Sequence, residues 1–349
     1  MFRLGKGLPL LFLLLSVMLV AAGCGTNGAE NKTEPAAQET GGHAAGADMT
    51  ATAATDEKNG ETRTVGHAMG KTEIQGSPQK IVTLFQGATD VAVAMGIKPV
   101  GIVESWVEQP IYQYLRNDLD GVPIVGLETQ PNLEEIAKLE PDLIIGSKLR
   151  HEAIYEQLSE IAPTVMLETV YQFKETVKMM GQAMNQEDKA QKLLEDWDRR
   201  VADFKTKIGQ KAGVEWPQEV AVLNFRADHA RIYVSGFAPD ILAELGYVFP
   251  EYQQQEREKG QVVIRLTSKE SIPSMNADLF YIFKFDDSGD GAVQKLYEEW
   301  TGHPLWKNLD AVKNNKVYMV NEVFWNNGGG IIAANRMLDE IYEHFGLEK

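Results

Sequence analysis

The chain has 349 residues, 44% hydrophobic and 24% charged, which suits one large or two medium globular domains. A formal charge of −16 argues against a nucleic-acid partner, because a long acidic surface repels phosphates. The only cysteine is Cys24, so no internal disulfide can form.

The chain opens with "MFRLGKGLPLLFLLLSVMLVAAGC". Arg3 and Lys6 precede an apolar run from Leu8 to Val20, and Ala21, Ala22 and Gly23 precede Cys24. This is the three-part form of an export signal, too short for a spanning helix. A lone thiol is a liability in an exported chain. At this position Cys24 resembles the lipobox cysteine of bacterial lipoproteins, which is acylated and becomes the new N-terminus. Residues 1–23 are therefore expected to be removed, taking the formal charge to −18 with the loss of Arg3 and Lys6. Residues 24–61 hold the lipidated cysteine and an Ala-, Gly-, Thr- and Glu-rich tract without an aromatic side chain. Such a tract cannot bury enough surface to offset its ordering entropy and reads as a flexible tether. The expected location is the extracellular face of the cell membrane, held by the lipid.

From residue 62 the pattern is that of a folded chain. "TRTVGHAMGKTEIQG" (62–76) reads as a hairpin, "QKIVTLF" (79–85) as a buried strand and "GATDVAVAMGI" (87–97) as a helix. "KPVGIVE" (98–104) is a strand, and "PNLEEIAKLEP" (131–141) a short helix capped by Asn132 and stopped by Pro141. "DLIIGS" (142–147) is a strand and "RHEAIYEQLSEIAP" (150–163) a helix. From Gln186 to Ile208 the rhythm changes. Ala190, Leu193, Leu194, Trp197, Val201, Phe204 and Ile208 fall on one face of a single helix, about 33 Å long. Strands at 219–225 and 231–236, a helix at 239–246, strands at 279–285 and 316–320 and a last helix from Ile331 to Phe345 then resume the alternation. The sum is an α/β protein: one lobe over 62–185, a bridging helix over 186–209 and a second lobe over 210–349.

Enzyme signatures are weak. There is no G-x-S-x-G elbow and no Walker A loop. "GGGIIA" (328–333) fits G-x-G-x-x-A but leaves no room for a following βαβ unit. It reads as a Gly-rich turn opening the last helix, whose N-terminus can face an anion. The six histidines show neither i, i+4 pairing nor cysteine neighbours, so no direct metal site is expected.

One stretch runs against the overall charge. "LNFRADHARIYVSG" (223–236) puts Arg226, His229, Arg231 and Tyr233 at one strand–turn–strand, and Tyr233 falls on the same side as Arg231. A planar guanidinium matches a carboxylate with two parallel hydrogen bonds. At strand edges of the first lobe stand Gln86, Trp106, Arg150 and His151; in the second lobe Trp325 and Asn326 do the same. Together they outline a guanidinium-rich cleft for a ligand with several carboxylates, with Trp for its apolar faces.

The segments "QKIVTL", "AMGIKPVG", "PNLEEIAKLEPDLII", "YEQLSEIAPTV", "SKESIPSMNADLFYIF" and "WKNLDAVKNNKVYMV" give the chain a resemblance to the iron-siderophore-binding lipoproteins of ABC importers. "LFQGATDVAVAMGIKPVGIVESW" and "NFRADHARIY" look most like the ferric-citrate-binding lipoproteins of Gram-positive bacteria. The resemblance spans residue 62 to the end and implies two three-layer lobes on a helical backbone, the periplasmic-binding-protein fold. It implies capture of a ferric chelate of citrate or a related carboxylate siderophore by arginines, without cofactor or catalysis, by a monomer that hands it to a permease and an ATPase. It also implies one docking glutamate per lobe, by position Glu134 and Glu244. The alternatives are another iron chelate, such as a mixed citrate-hydroxamate siderophore or haem, and an extracellular metal-dependent enzyme.

Overall fold

A computed structural model describes residues 60–286 and 289–349; the export signal, Cys24 and the tether up to residue 59 lie outside the described residues. The chain enters through an antiparallel hairpin, β1 (Thr62–His67) and β2 (Gly70–Gln75). A six-stranded sheet follows, in the order β6-β5-β4-β3-β7-β8. Its strands are β3 (Ile81–Thr83), β4 (Gly101–Glu104), β5 (Ile124–Leu127), β6 (Gln130–Pro131), β7 (Leu143–Ser147) and β8 (Thr164–Leu167), parallel except for β6. Helices α1 (Gln86–Ala94), α2 (Leu133–Lys138), α3 (Lys148–His151), α4 (Tyr155–Ile161) and α5 (Phe173–Met184) accompany it.

Then α6 (Glu187–Gln210) runs unbroken for 24 residues. Its inward face is the one the apolar spacing marks: Ala190, Trp197, Val201, Phe204 and Ile208 are buried, and Leu193 and Leu194 are half-buried. The second sheet has the order β11-β10-β9-β12-β13. Its strands are β9 (Val220–Phe225), β10 (Ala230–Tyr233), β11 (Val263–Leu266), β12 (Leu279–Lys284) and β13 (Val317–Met319). Around it lie α7 (Phe237–Leu245), α8 (Glu251–Glu258), α9 (Ala292–Thr301), α10 (Pro304–Lys307), α11 (Asp310–Lys313) and α12 (Ile331–His344).

Two expectations need correction. The helix read over 150–163 is broken into α3, a 3₁₀ turn at Glu152–Ile154, and α4. The reason is local: the His151 ring is fully buried and bonds back to the Ser147 backbone, which tightens the turn after β7. The intervals left without an element in the sequence reading also hold β5, β8, β11, α5, α8 and α9.

The lobes are joined by more than α6. One apolar core runs from Val91 of α1 and Met180 of α5 through Trp197 and Phe204 of α6 to Leu242 of α7 and Leu338 of α12. A polar clamp reinforces it. Asp90 of α1 is fully buried and accepts the Ile332 and Ala333 N–H groups at 2.8 and 3.0 Å, and the Tyr114 hydroxyl at 2.7 Å. The Gly-rich turn thus does open a helix whose N-terminus meets an anion, and that anion is a side chain of the other lobe. Gly330 is required there, since a Cβ would stand 2.2 Å from the Asp90 carboxylate.

Candidate functional site: a cleft of arginines between the lobes

The first wall is built at the C-terminal ends of parallel strands, where open α/β sheets place their ligands. Gln86 opens α1 after β3, and its Nε2 donates to the Glu104 carbonyl at 2.8 Å. Trp106 follows β4 and is 36% exposed. Arg150 lies on α3 after β7, its guanidinium carbon 5.8 Å from the Trp106 ring centre. Behind them sits Glu128, just past β5 and 4% exposed. Its carboxylate accepts the Gln86 N–H at 3.2 Å, the Trp106 indole N–H at 3.3 Å and the Arg150 Nε–H at 3.2 Å. Burial pushes the Glu128 carboxyl above its usual range, and Arg150 opposes that shift.

The opposite wall is the β9–β10 hairpin, closed by the Arg226 N–H donating to the His229 carbonyl at 2.9 Å. The register sets Arg231 opposite Asn224 and Tyr233 opposite Val222, which puts Arg231 and Tyr233 on one face. Arg226 gives its Nε–H to the Asn224 amide oxygen at 3.1 Å, and its guanidinium carbon lies 3.8 Å from the Phe285 ring centre. Burial, and then the neighbouring Arg231 charge, depress the Arg226 pKa. Arg231 gives its Nε–H to His229 Nε2 at 2.8 Å. An arginine can only donate, so that nitrogen accepts and the ring proton sits on Nδ1, which donates to Asp228 at 2.5 Å. Arg265 of β11 holds the other Asp228 oxygen at 2.8 Å.

Between the walls lies a cleft of about 380 Å³, bounded also by Tyr171, Phe285, Asn326 and Asn327. Its floor is backbone. A Cβ on Gly87 would come within 2.6 Å of the Gly329 carbonyl oxygen, so any larger residue there would wedge the lobes apart. Gly329 itself has φ +65°, where a side chain is strained.

The structure brings Gln86, Trp106, Arg150, Arg226, Arg231, Tyr233 and Asn326 to this cleft. Three of the expected contacts stand elsewhere. His151 is 0% exposed; Nδ1 accepts the Ser147 N–H and Nε2 donates to the Glu128 carbonyl, so it fixes the segment that carries Glu128. His229 lies behind Arg231 and supports it. Trp325 is 1% exposed, gives its indole N–H to Glu340 at 2.7 Å and packs 4.3 Å from the Tyr281 ring centre, which makes it a core residue. The two acids differ as well. Glu134 is exposed in the first turn of α2, behind the Asn132 cap. Glu244, the docking acid expected for the second lobe, accepts from Lys174 of the first lobe and from the Trp197 indole at 3.2 Å.

Sequence reasoning missed Glu128, Tyr171, Phe285 and Asn327. Phe285 ends "LFYIFKF", and the strand-edge rule that singles out Arg226 applies to it equally. Glu128 carries no such mark, since its burial depends on three separate segments.

Among the described residues no group of three or more His, Cys, Asp or Glu could hold a metal ion. Residues 81–323 match the family described as periplasmic binding protein. The achromobactin-binding periplasmic protein of Dickeya dadantii is 48% identical over 271 residues, 77% of this chain and 87% of that protein. A probable siderophore-binding lipoprotein of Bacillus subtilis is 38% identical over 97% of this chain and 98% of its own length. The structure of Staphylococcus aureus SirA complexed with staphyloferrin B superposes with a TM-score of 0.80 at 49% identity, over 82% of this chain and 99% of that one. These relatives are binding proteins, not enzymes, and the two-lobed fold is theirs. With the family match running through both lobes and both walls of the cleft, the chain belongs to the periplasmic binding protein family.

Proposed function

We propose that the protein is the capture component of an ABC importer and binds a ferric carboxylate siderophore. The observation that carries the reading is the convergence of Arg150, Arg226 and Arg231 from two lobes on one cleft. Ferric iron is a hard cation whose coordination is already filled by the chelator's oxygens. The protein then has to offset the chelate's outer negative charge, which charge-assisted hydrogen bonds from guanidinium groups do. Trp106, Tyr171 and Phe285 would cover the ligand's less polar faces. Of the relatives near half identity, one is named for achromobactin and the other is solved in complex with staphyloferrin B, which favours a chelate of that kind over ferric citrate alone.

The test is quenching of tryptophan fluorescence, Trp106 being in the cleft, on titration with ferric staphyloferrin B, ferric achromobactin, ferric citrate and a ferric hydroxamate. The first two should bind most tightly and the hydroxamate least. A hydroxamate preference would defeat the assignment.

Two further parts belong to the same reading. Glu134 docks the loaded protein on the permease, so Glu134→Ala should slow uptake in cells without changing ligand affinity. Cys24 carries the lipid, and the B. subtilis lipoprotein that matches almost end to end supports this. Cys24→Ser should release the protein from the membrane fraction into the medium.

A further inference from the structure

The three cleft arginines share one detail. Each gives its Nε–H to an acceptor in the layer behind: Arg150 to Glu128, Arg226 to Asn224 and Arg231 to His229, at 3.2, 3.1 and 2.8 Å. All three acceptors are buried, with exposures of 4%, 0% and 5%. Each is itself held. Glu128 takes two more donors, Asn224 donates to the Phe283 carbonyl at 3.3 Å, and His229 donates to Asp228. A free arginine side chain has many rotamers to lose on binding. Fixing the Nε edge restricts them before a ligand arrives and leaves the terminal nitrogens, the pair that matches a carboxylate. Among the described residues, no hydrogen bond from the terminal nitrogens of Arg150 or Arg231 competes for them.

We propose that Glu128, Asn224 and His229 are positioning residues that preset the cleft guanidinium groups, and that His229 does so only as a neutral ring, so that grip through Arg231 weakens in acid. The inference rests on the reading of the cleft as a carboxylate site. The charged groups facing His229 are Asp228 on its own turn, Arg231 of β10 and Arg265 of β11. Protonation places an N–H on Nε2, against the Arg231 Nε–H. Donor then meets donor and cation meets cation, and Arg231 has to turn away. Asp228 favours the charged ring through the other nitrogen but cannot relieve the clash at Nε2. Burial further disfavours the charged ring. Glu128 gives the proposal a distinctive sign. If charge alone mattered, removing a carboxylate from an anion site would tighten binding; if Glu128 positions Arg150, its removal loosens it.

The experiment is a fluorescence titration with ferric citrate and ferric staphyloferrin B from about pH 7.5 to about pH 4.5, through and below the usual histidine range because burial lowers the pKa of the ring. Near neutrality His229→Leu should weaken binding about tenfold, the size of one charge-assisted hydrogen bond. His229→Gln offers an amide oxygen to the same Nε–H, so it should keep the neutral-pH affinity and flatten the pH response relative to wild type. On an Arg231→Ala background His229→Leu should add almost nothing, and Glu128→Leu, which removes the acceptor, should likewise weaken binding only while Arg150 is present. Additive effects in both cycles, tighter binding by Glu128→Leu, or one pH profile for wild type and His229→Gln would overturn the proposal. If Arg150→Ala and Arg231→Ala alone leave affinity unchanged, the carboxylate-cleft reading itself fails. Circular-dichroism melts of each variant separate loss of position from loss of fold.

Discussion

The two walls of the cleft solve one problem differently. On the first wall a single arginine is tied to a buried carboxylate, so its charge is partly offset before any ligand arrives. On the second, Arg226 and Arg231 stand side by side, backed by the neutral acceptors Asn224 and His229, with Asp228 one step further back. The first wall comes from parallel strand ends and adds an indole face; the second is an antiparallel hairpin that concentrates cations. Counting arginines per lobe would miss this. A guanidinium paired with a buried anion is a shaped donor, whereas two guanidinium groups on neutral supports form an electrostatic trap.

The comparison breaks first at the arginines. Arg226→Ala with Arg231→Ala should weaken ferric staphyloferrin B binding about a thousandfold, at roughly 2 kcal/mol per lost charged hydrogen bond. Arg150→Ala should cost about thirtyfold on the same scale. A larger loss from Arg150→Ala would reverse the ranking of the walls.

What holds the walls apart at a fixed distance comes next. Asp90→Ala strands two helix N–H groups and a tyrosine hydroxyl in a buried seam, and should cost about 3 kcal/mol of stability by denaturant unfolding. A loss within experimental error would mean that the seam does not register the lobes.

A third outcome separates the walls by pH. His151, behind the first wall, is fully buried as a neutral ring and its pKa is depressed by burial. The unfolded chain therefore binds this proton first, and the contribution is full above about pH 6.5 and lost as pH falls through the folded value. The gap in thermal midpoint between wild type and His151→Asn should be widest near neutrality and close in acid. A gap that widens on acidification would contradict the neutral ring.

The smallest effect is expected at the outer seam. Glu244 and Lys174 are each about 30% exposed, so Lys174→Ala should cost only about 0.5 kcal/mol and leave ligand affinity alone.

The residues show where sequence reasoning reached and where it stopped. Arg226, Arg231 and Tyr233 were legible because strand alternation and a tight turn fix which side chains share a face over a few residues. Arg150, Trp106, Gln86 and Asn326 were legible as strand-edge residues of an α/β sheet. His151 and Trp325 sit at the same kind of edge, yet each turns inward to a backbone or carboxylate partner. Position along a strand gives the edge; it does not give the direction of a side chain when a buried partner competes for it.

By itself the sequence determined the alternation of strands and helices, the long amphipathic helix and the cationic hairpin, because each follows from spacing within a single segment. Only the tertiary structure decided that Glu128 is buried behind Arg150, that Asp90 caps a helix of the other lobe, and that Gly87 and Gly329 meet at the cleft floor. Each of these depends on segments brought together from far apart in the chain. The free energy of a buried charge or a backbone contact is set by what surrounds it in space.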